Sequence, residues 1–295
     1  MKARLKTVLR KIMPSLIWQM LSLFKQLVFN WDAKGLRSIK FLKDKQDVIV
    51  LGNGPSLKKD LEKIAIMAEQ HDFVCVNNFC SSPYYETFKP NKYVFLDGYF
   101  FSENAHPDWV KQREETFKII NERTTWKMQI FLPMWADKTI LERIIVNPNV
   151  EIIKIKVFGN NHKTIQQAKR IYATGFFGPQ QCNVLIYAVY LSVWAKHKKV
   201  KIFGADLSFH NDVQVNQENN HLEIRFRHFN KEDHVERLMK NPEKVEPFTM
   251  AEIMQTTADT FRAHEILNAF ANYKNIEIIN VSYFSMIDTY KRGNN

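Results

Sequence analysis

The chain has 295 residues, 45% hydrophobic, 25% charged and 13% aromatic, which excludes a disordered chain and supplies enough apolar surface for one large core. Its formal net charge of +11 sits at one end: residues 1–45 hold eleven Lys/Arg and two Asp/Glu, and the rest of the chain holds 31 and 29. A main body so nearly balanced argues against a nucleic-acid partner.

Residues 1–45 form the first unit. Leu5, Val8, Leu9 and Ile12 recur at helical spacing among Lys2, Arg4, Lys6, Arg10 and Lys11, and Pro14 followed by Ser15 marks a break and a restart. Residues 15–31 are apolar and aromatic, but Gln19, Lys25 and Gln26 interrupt them, so the stretch falls short of the roughly 20 uncharged residues of a spanning helix. No small-residue cleavage site follows, and no cleavable signal peptide is expected. Two readings fit. One is an amphipathic helical segment on an anionic membrane surface, with Trp18, Phe24, Phe29 and Trp31 in the headgroup region. The other is a pair of helices packed on the domain, or on a second copy in a homo-oligomer. The three cysteines, Cys75, Cys80 and Cys182, make no disulfide framework and no CxxC spacing, as suits a reducing cytosol. The first reading therefore puts the chain in the cytoplasm, peripheral on the inner face of the cell membrane.

Residues 46–295 read as one α/β domain. Strand-like runs occur at 48–51, 73–76, 93–96, 129–132, 151–157, 200–203 and 276–279, with helical patterns at 57–70, 108–122, 179–197 and 251–273. Short apolar strands alternating with helices predict a mainly parallel sheet covered on both faces. Residues 207–250 break the alternation. They are polar, His-rich and weakly periodic, and they follow the strand ending in KIFGAD, so they read as a long lid or substrate loop.

The candidate site lies at strand ends. After the first strand comes GNGPS, which is neither G-x-G-x-x-G nor a P-loop. Gly52 and Gly54 allow close backbone approach, Asn53 supplies an amide, and Pro55 and Ser56 open the next helix with Ser56 as N-cap. Such a turn either holds an anion or is a plain strand-to-helix corner. The second strand ends in Asn77 and Asn78, the third in Asp97 and the KIFGAD strand in Asp206, while Thr174 and Gly175 precede a buried helix. Polar groups at the carboxyl ends of parallel strands are where open α/β sheets take ligands.

These motifs, in this order, resemble those of bacterial lipooligosaccharide sialyltransferases and of related uncharacterised polysaccharide-locus proteins. GNGPSL, the Asn-bearing second strand end, Thr-Gly before a helix, the G-A-D strand end and the C-terminal NVSYFSMIDTYKR carry the resemblance over roughly residues 47–292. It implies a single Rossmann-like, doubly wound domain with a lid insertion. It also implies a CMP-linked sugar donor, a glycan or glycolipid acceptor, inversion at the anomeric carbon and no metal. On it, Asn53, Asn77 and Thr174 touch the donor's phosphate and sugar, Asp206 lies near the nucleotide, and Ser282 belongs to the nucleotide pocket. The chain departs from the family at the base, since Gln255 stands near the place of the expected His, and the Tyr pair that assists the leaving phosphate is not visible.

The residues by themselves agree on the chemistry. There is no Asp-x-Asp pair for a cation bridging a diphosphate, so no metal and no other cofactor is expected. A nucleoside monophosphate leaving group needs less cationic help, and an inverting transfer needs a base for the acceptor hydroxyl. The lid offers His210, His221, His228 and His234, and with Glu223 their spacing matches no closed zinc site. His228, flanked by Phe226 and Phe229, is the first candidate for the base, and His210, just past Asp206, the second. Two other classes remain: a nucleotide-dependent pyrophosphokinase of the motility accessory family type, which shares G-x-G-P-S and G-x-D-L, and a non-catalytic nucleotide-binding protein.

Overall fold

Each central strand is a short run of β-branched and aromatic residues buried on both sides. The computed structural model describes residues 32–159, 164–228 and 231–293, with the side chains of residues 228, 231 and 232 outside that description. In strand β1 (Val48–Leu51) all four residues are buried, with Val48 and Val50 in one core cluster and Ile49 and Leu51 in the other. That alternation is the period of two expected of a strand between two covered faces.

The main sheet adds β2 (Asp72–Val76), β3 (Lys92–Val94), β4 (Met128–Pro133), β5 (Val150–Ile155), β8 (Lys199–Phe203), β12 (Glu277–Asn280) and β13 (Lys291–Arg292). Its order is β13-β12-β8-β1-β2-β3-β4-β5, and every pair is parallel. A small pair, β6 (Phe158–Gly159) and β7 (Phe177–Gly178), lies outside it. Helices α1 (Leu61–Ile66), α2 (Tyr85–Phe88), α3 (Pro107–Arg123) and α4 (Thr139–Glu142) supply apolar residues to one face. Helices α5 (Ile165–Tyr172), α6 (Val184–Trp194) and α7 (Met250–Tyr273) cover the other. α6 is buried almost all round, as a helix between a sheet and a second helical layer must be. Asn183 caps its start by accepting from the Leu185 N–H, and Thr249 and Glu252 form a capping box on α7. The expected α/β class and doubly wound, mainly parallel sheet are therefore observed.

The chain runs outward from β1 through β5 and then returns to the other side of β1 as β8. The order of strands reverses between β1 and β8, and their carboxyl ends open the crevice where such sheets bind ligands.

Three local expectations need correction. The helical pattern at 57–70 is broken into a 3₁₀ turn (Pro55–Lys59), α1 and a second 3₁₀ turn (Ala68–Gln70), and the residue capping the first turn is Gly54, not Ser56. The pattern at 179–197 is helical only over Val184–Trp194. The segment 207–250 is not a structureless loop: β9 (Val213–Val215), β10 (Leu222–His228) and β11 (Lys231–Arg237) form an antiparallel sheet. Its apolar side is Leu222 and Ile224, both buried, and Phe226, stacked on His234.

Residues 1–31, which carry most of the expected amphipathic segment, lie outside the described residues. Residues 32–45 pack on the sheet domain. Lys34 bridges to Ile155, Leu36 is buried, and the Gln129 amide accepts from Leu42 N–H and donates to Lys40 O. Among the described residues no helix is long and apolar enough to cross a membrane.

Candidate functional site

The turn after β1 is tied to the turn after β8. Gly52 N–H donates to Phe203 O at 2.8 Å, Gly54 N–H donates to Gly204 O at 3.0 Å, and Ser56 N–H donates to the Asp206 carboxylate at 3.0 Å. The Ser56 hydroxyl donates to the other Asp206 oxygen at 2.6 Å. A Cβ on Gly52 would lie 2.4 Å from Gly204 O, and one on Gly54 would lie 2.2 Å from Asp206 Oδ1. These two glycines are thus required by the approach of one strand end to another. Pro55 has no N–H, so of the amides from Gly52 to Ser56 only that of Asn53 is not committed in this way. The position an anion would take at the start of the 3₁₀ turn holds the chain's own carboxylate. Burial raises the pKa of Asp206, and the two bonds from Ser56 oppose that shift. Leu207, the next residue, has φ of 47°, a conformation costly for a branched side chain.

The turn after β12 closes the third side. Ser282 is fully buried, with its hydroxyl accepting from Ala205 N–H at 3.0 Å, so it joins β12 to β8 and does not face a ligand. Its neighbours do. Tyr283 and Phe284 are 52% and 45% exposed, and with Ser56, Lys59, Asp206 and Arg227 they line a cleft of about 480 Å³. Lys59 Nζ stands 3.9 Å over the Tyr283 ring, and the backbone N–H of Tyr283 donates to Asp60 at 3.0 Å. Arg227 reaches the cleft from β10 and is paired with Asp212 at 2.9 Å. The cleft therefore offers two aromatic rings at the switch point and two cations, Lys59 and Arg227, set against the carboxylates of Asp206 and Asp212 on the same wall. Sequence reasoning misses Lys59, Arg227, Tyr283 and Phe284; the adjacent aromatics of NVSYFS are a signal for the last two, and nothing local marks Lys59 or Arg227.

A second group forms at the ends of β1, β2 and β3. Asn53 Nδ2 donates to Val76 O at 3.2 Å, and Asn77 Nδ2 donates to Asp97 Oδ2 at 2.7 Å. Because each amide nitrogen faces an acceptor, each amide oxygen is fixed in the opposite direction, and both Asn53 Oδ1 and Asn77 Oδ1 are buried without a partner. Asn77 holds φ of 47°, which Asn tolerates better than most residues. Asn78 is turned to the flank, accepting from Thr116 and facing the Tyr99 hydroxyl. Asp97 is exposed to solvent, and desolvation lifts its pKa to about 6 against the lowering bond from Asn77.

The carboxyl end of the lid segment lands beside this group. A Cβ on Gly98 would lie 3.0 Å from the Pro242 ring, His106 N–H donates to Pro242 O at 2.8 Å, and Ser102 bonds Glu243. The lid segment thus starts at the end of β8 and touches down next to the end of β3, and β1 and β2 lie between those strands in the sheet.

The remaining candidates are placed elsewhere. Thr174 closes the last turn of α5 by donating to Ile171 O, and Gly175, at φ of 78°, abuts Trp194 at the end of α6. His197, just past α6, binds Asp72 at the first residue of β2, so the end of α6 lies at the amino edge of the sheet. Thr174 and Gly175 are therefore not brought to the cleft. His210 sits in the 3₁₀ turn Phe209–Asp212 with its ring edge-on to Phe209 and Phe261, and its Nδ1 is buried without a partner. His228 ends β10 opposite Lys231 at the tip of the hairpin, and its side chain lies outside the described residues. Among the described residues no group of three His, Cys, Asp or Glu side chains is arranged to hold a metal ion.

No family model matches the chain, and no curated protein matches it. A similar solved structure is the MAf glycosyltransferase from Magnetospirillum magneticum AMB-1, at 12% identity and a TM-score of 0.47. The match covers 84% of this chain and 33% of that one, so the chain spans about a third of that protein's length. A likeness at this level carries no weight for activity.

Proposed function

We propose that the chain is a glycosyltransferase that takes a nucleotide-activated sugar, CMP-linked, in the switch-point cleft and passes the sugar to a hydroxyl of a surface glycan such as lipooligosaccharide, O-antigen or capsule. The observation that carries the reading is the cleft itself: Tyr283 and Phe284 offer faces for a nucleobase, Lys59 offers positive charge for a phosphate, and Arg227 adds to it by exchanging Asp212 for the phosphate. A site built on side-chain cations suits a monophosphate leaving group, and the sequence has no Asp-x-Asp pair for a bridging cation, so transfer is metal-independent, and inversion at the anomeric carbon is what the resemblance to the sialyltransferases implies. The amide oxygens of Asn53 and Asn77 are acceptors without donors, which favours sugar hydroxyls over phosphate as their partners. Residues 1–31 hold the enzyme on the inner face of the membrane, close to a lipid-linked acceptor.

The test is thermal shift with CMP, UDP, GDP and ATP, with and without Mg²⁺, followed by donor hydrolysis. CMP is expected to stabilise the protein, EDTA to leave that shift unchanged, and a CMP-sugar to be consumed. Stabilisation by ATP that requires Mg²⁺ would point to a pyrophosphokinase, and nucleotide binding without donor consumption to a non-catalytic binder.

A further inference from the structure

Asp97 lies at the carboxyl end of β3, beside the point where the lid segment lands, and its two carboxylate oxygens have different surroundings. Oδ2 is held by the Asn77 amide at 2.7 Å, and Oδ1 makes no hydrogen bond among the described residues. The Asn77 backbone is in the left-handed region, and the phenol of Tyr93 donates to Asn77 O at 2.6 Å, so the amide that grips Asp97 is itself rigidly placed. Charged groups on the surrounding elements are turned to other partners. Arg113 of α3 binds Tyr99 O and Ser102 O, Glu243 of the lid segment binds Ser102, and Lys244 reaches Glu236 and lies 4.7 Å from the Trp109 ring. The nearby Tyr99 phenol is kept protonated by burial and by the Asp97 charge. The result is a carboxylate with one oxygen anchored, one oxygen open, and no salt-bridge partner.

We propose that Asp97 is the general base of the transfer, with Asn77 as its positioning residue. The assignment rests on the glycosyl-transfer reading above. The acceptor oxygen forms a bond to the anomeric carbon of the donor as the bond from that carbon to the phosphate oxygen breaks. The electron pair of the broken bond stays on the departing nucleotide, and the hydroxyl proton passes to Asp97 Oδ1. Ionised Asp97 is the working form, so activity rises with pH through the region of about 6 to which burial lifts this group.

Asp97→Asn keeps an acceptor for Asn77 and removes the base. It is expected to lower transfer by about 10²–10⁴-fold and to abolish the acid limb of kcat/KM, while the thermal shift given by CMP is retained. The same limb is expected to persist in His210→Ala and His228→Ala. Asn77→Gly, which accepts φ of 47°, removes a bond that lowers the Asp97 pKa, so the limb moves to higher pH. A readout free of activity comes from linkage. A carboxylate whose folded pKa is raised destabilises the fold where it is ionised, so Asp97→Asn has the higher Tm at about pH 8, and the gap narrows as the pH falls below about 6 and closes only at the ordinary carboxylate value of 3.8. Wild-type transfer in Asp97→Asn, or an acid limb of kcat/KM that survives unchanged in it, overturns the assignment alone. A wild-type protein that neither shifts with nucleotide nor transfers sugar overturns the underlying reading and this role with it.

Discussion

Gly54→Ala isolates the reason for the glycines after β1. Gly54 has φ −63° and ψ 150°, values alanine adopts without strain, so the effect is steric and not conformational. The added methyl would sit 2.2 Å from Asp206 Oδ1, 2.6 Å from Asp206 Cγ and 2.7 Å from Gly204 O. Carbon and oxygen meet comfortably at roughly 3.5 Å, so the Asp206 side chain must leave or the two turns must part. Leaving breaks the bonds from Ser56 N–H and Ser56 Oγ to a buried carboxylate. A hydrogen bond to a charged group contributes about 1.5–3 kcal/mol, and overpacking a tight site costs about 1–3 kcal/mol. These overlap, because yielding on one relieves the other, so the expected loss is about 2–4 kcal/mol and a fall in Tm of roughly 4–12 °C. Gly35→Ala is the matched control. Gly35 has nearly the same backbone, φ −68° and ψ 145°, and nothing lies within 4 Å of an added Cβ. That variant should equal the wild type or gain about 0.4–1 kcal/mol through the unfolded chain. Chemical denaturation of both variants reads the difference. If Gly54→Ala fell within about 0.5 kcal/mol of wild type, the carboxylate-filled turn would be wrong, and the glycines would have to be explained by a ligand.

Tyr283→Ala should weaken CMP binding by about 1–3 kcal/mol, the usual worth of base stacking on an aromatic, with little change in Tm because the ring is 52% exposed; an unchanged Kd by calorimetry would move the nucleobase elsewhere. A chain beginning at residue 32 retains the contacts of Lys34, Leu36 and Leu42 and should fold, yet leave the membrane fraction in which the full chain sediments; equal partition of both would remove the membrane role of residues 1–31.

Much of the fold was legible because its cause is local. Val48–Leu51 and Asp72–Val76 are strands because β-branched and aromatic residues fill positions buried on both sides, and their neighbours along the chain already say so. The same local logic should have revealed β10, where Leu222, Ile224 and Phe226 alternate with Glu223, Arg225 and Arg227; the charged residues masked a clean period of two.

The sequence alone determined an α/β chain with a parallel sheet, and it put Asn53, Asn77, Asp97 and Asp206 at the carboxyl ends of strands, because strand direction and strand ends are properties of short stretches. It did not determine what those residues touch. Asp206 meets Ser56 across 150 positions of chain and fills the turn that GNGPS, taken by itself, offers to a phosphate. Ser282 is drawn inside while Tyr283 and Phe284 are left at the surface, and Thr174 is carried to the opposite edge by the run of α6. Such outcomes depend on which loops the sheet order brings side by side. That order follows from burying two faces of one sheet at once, a condition that only the assembled tertiary structure satisfies.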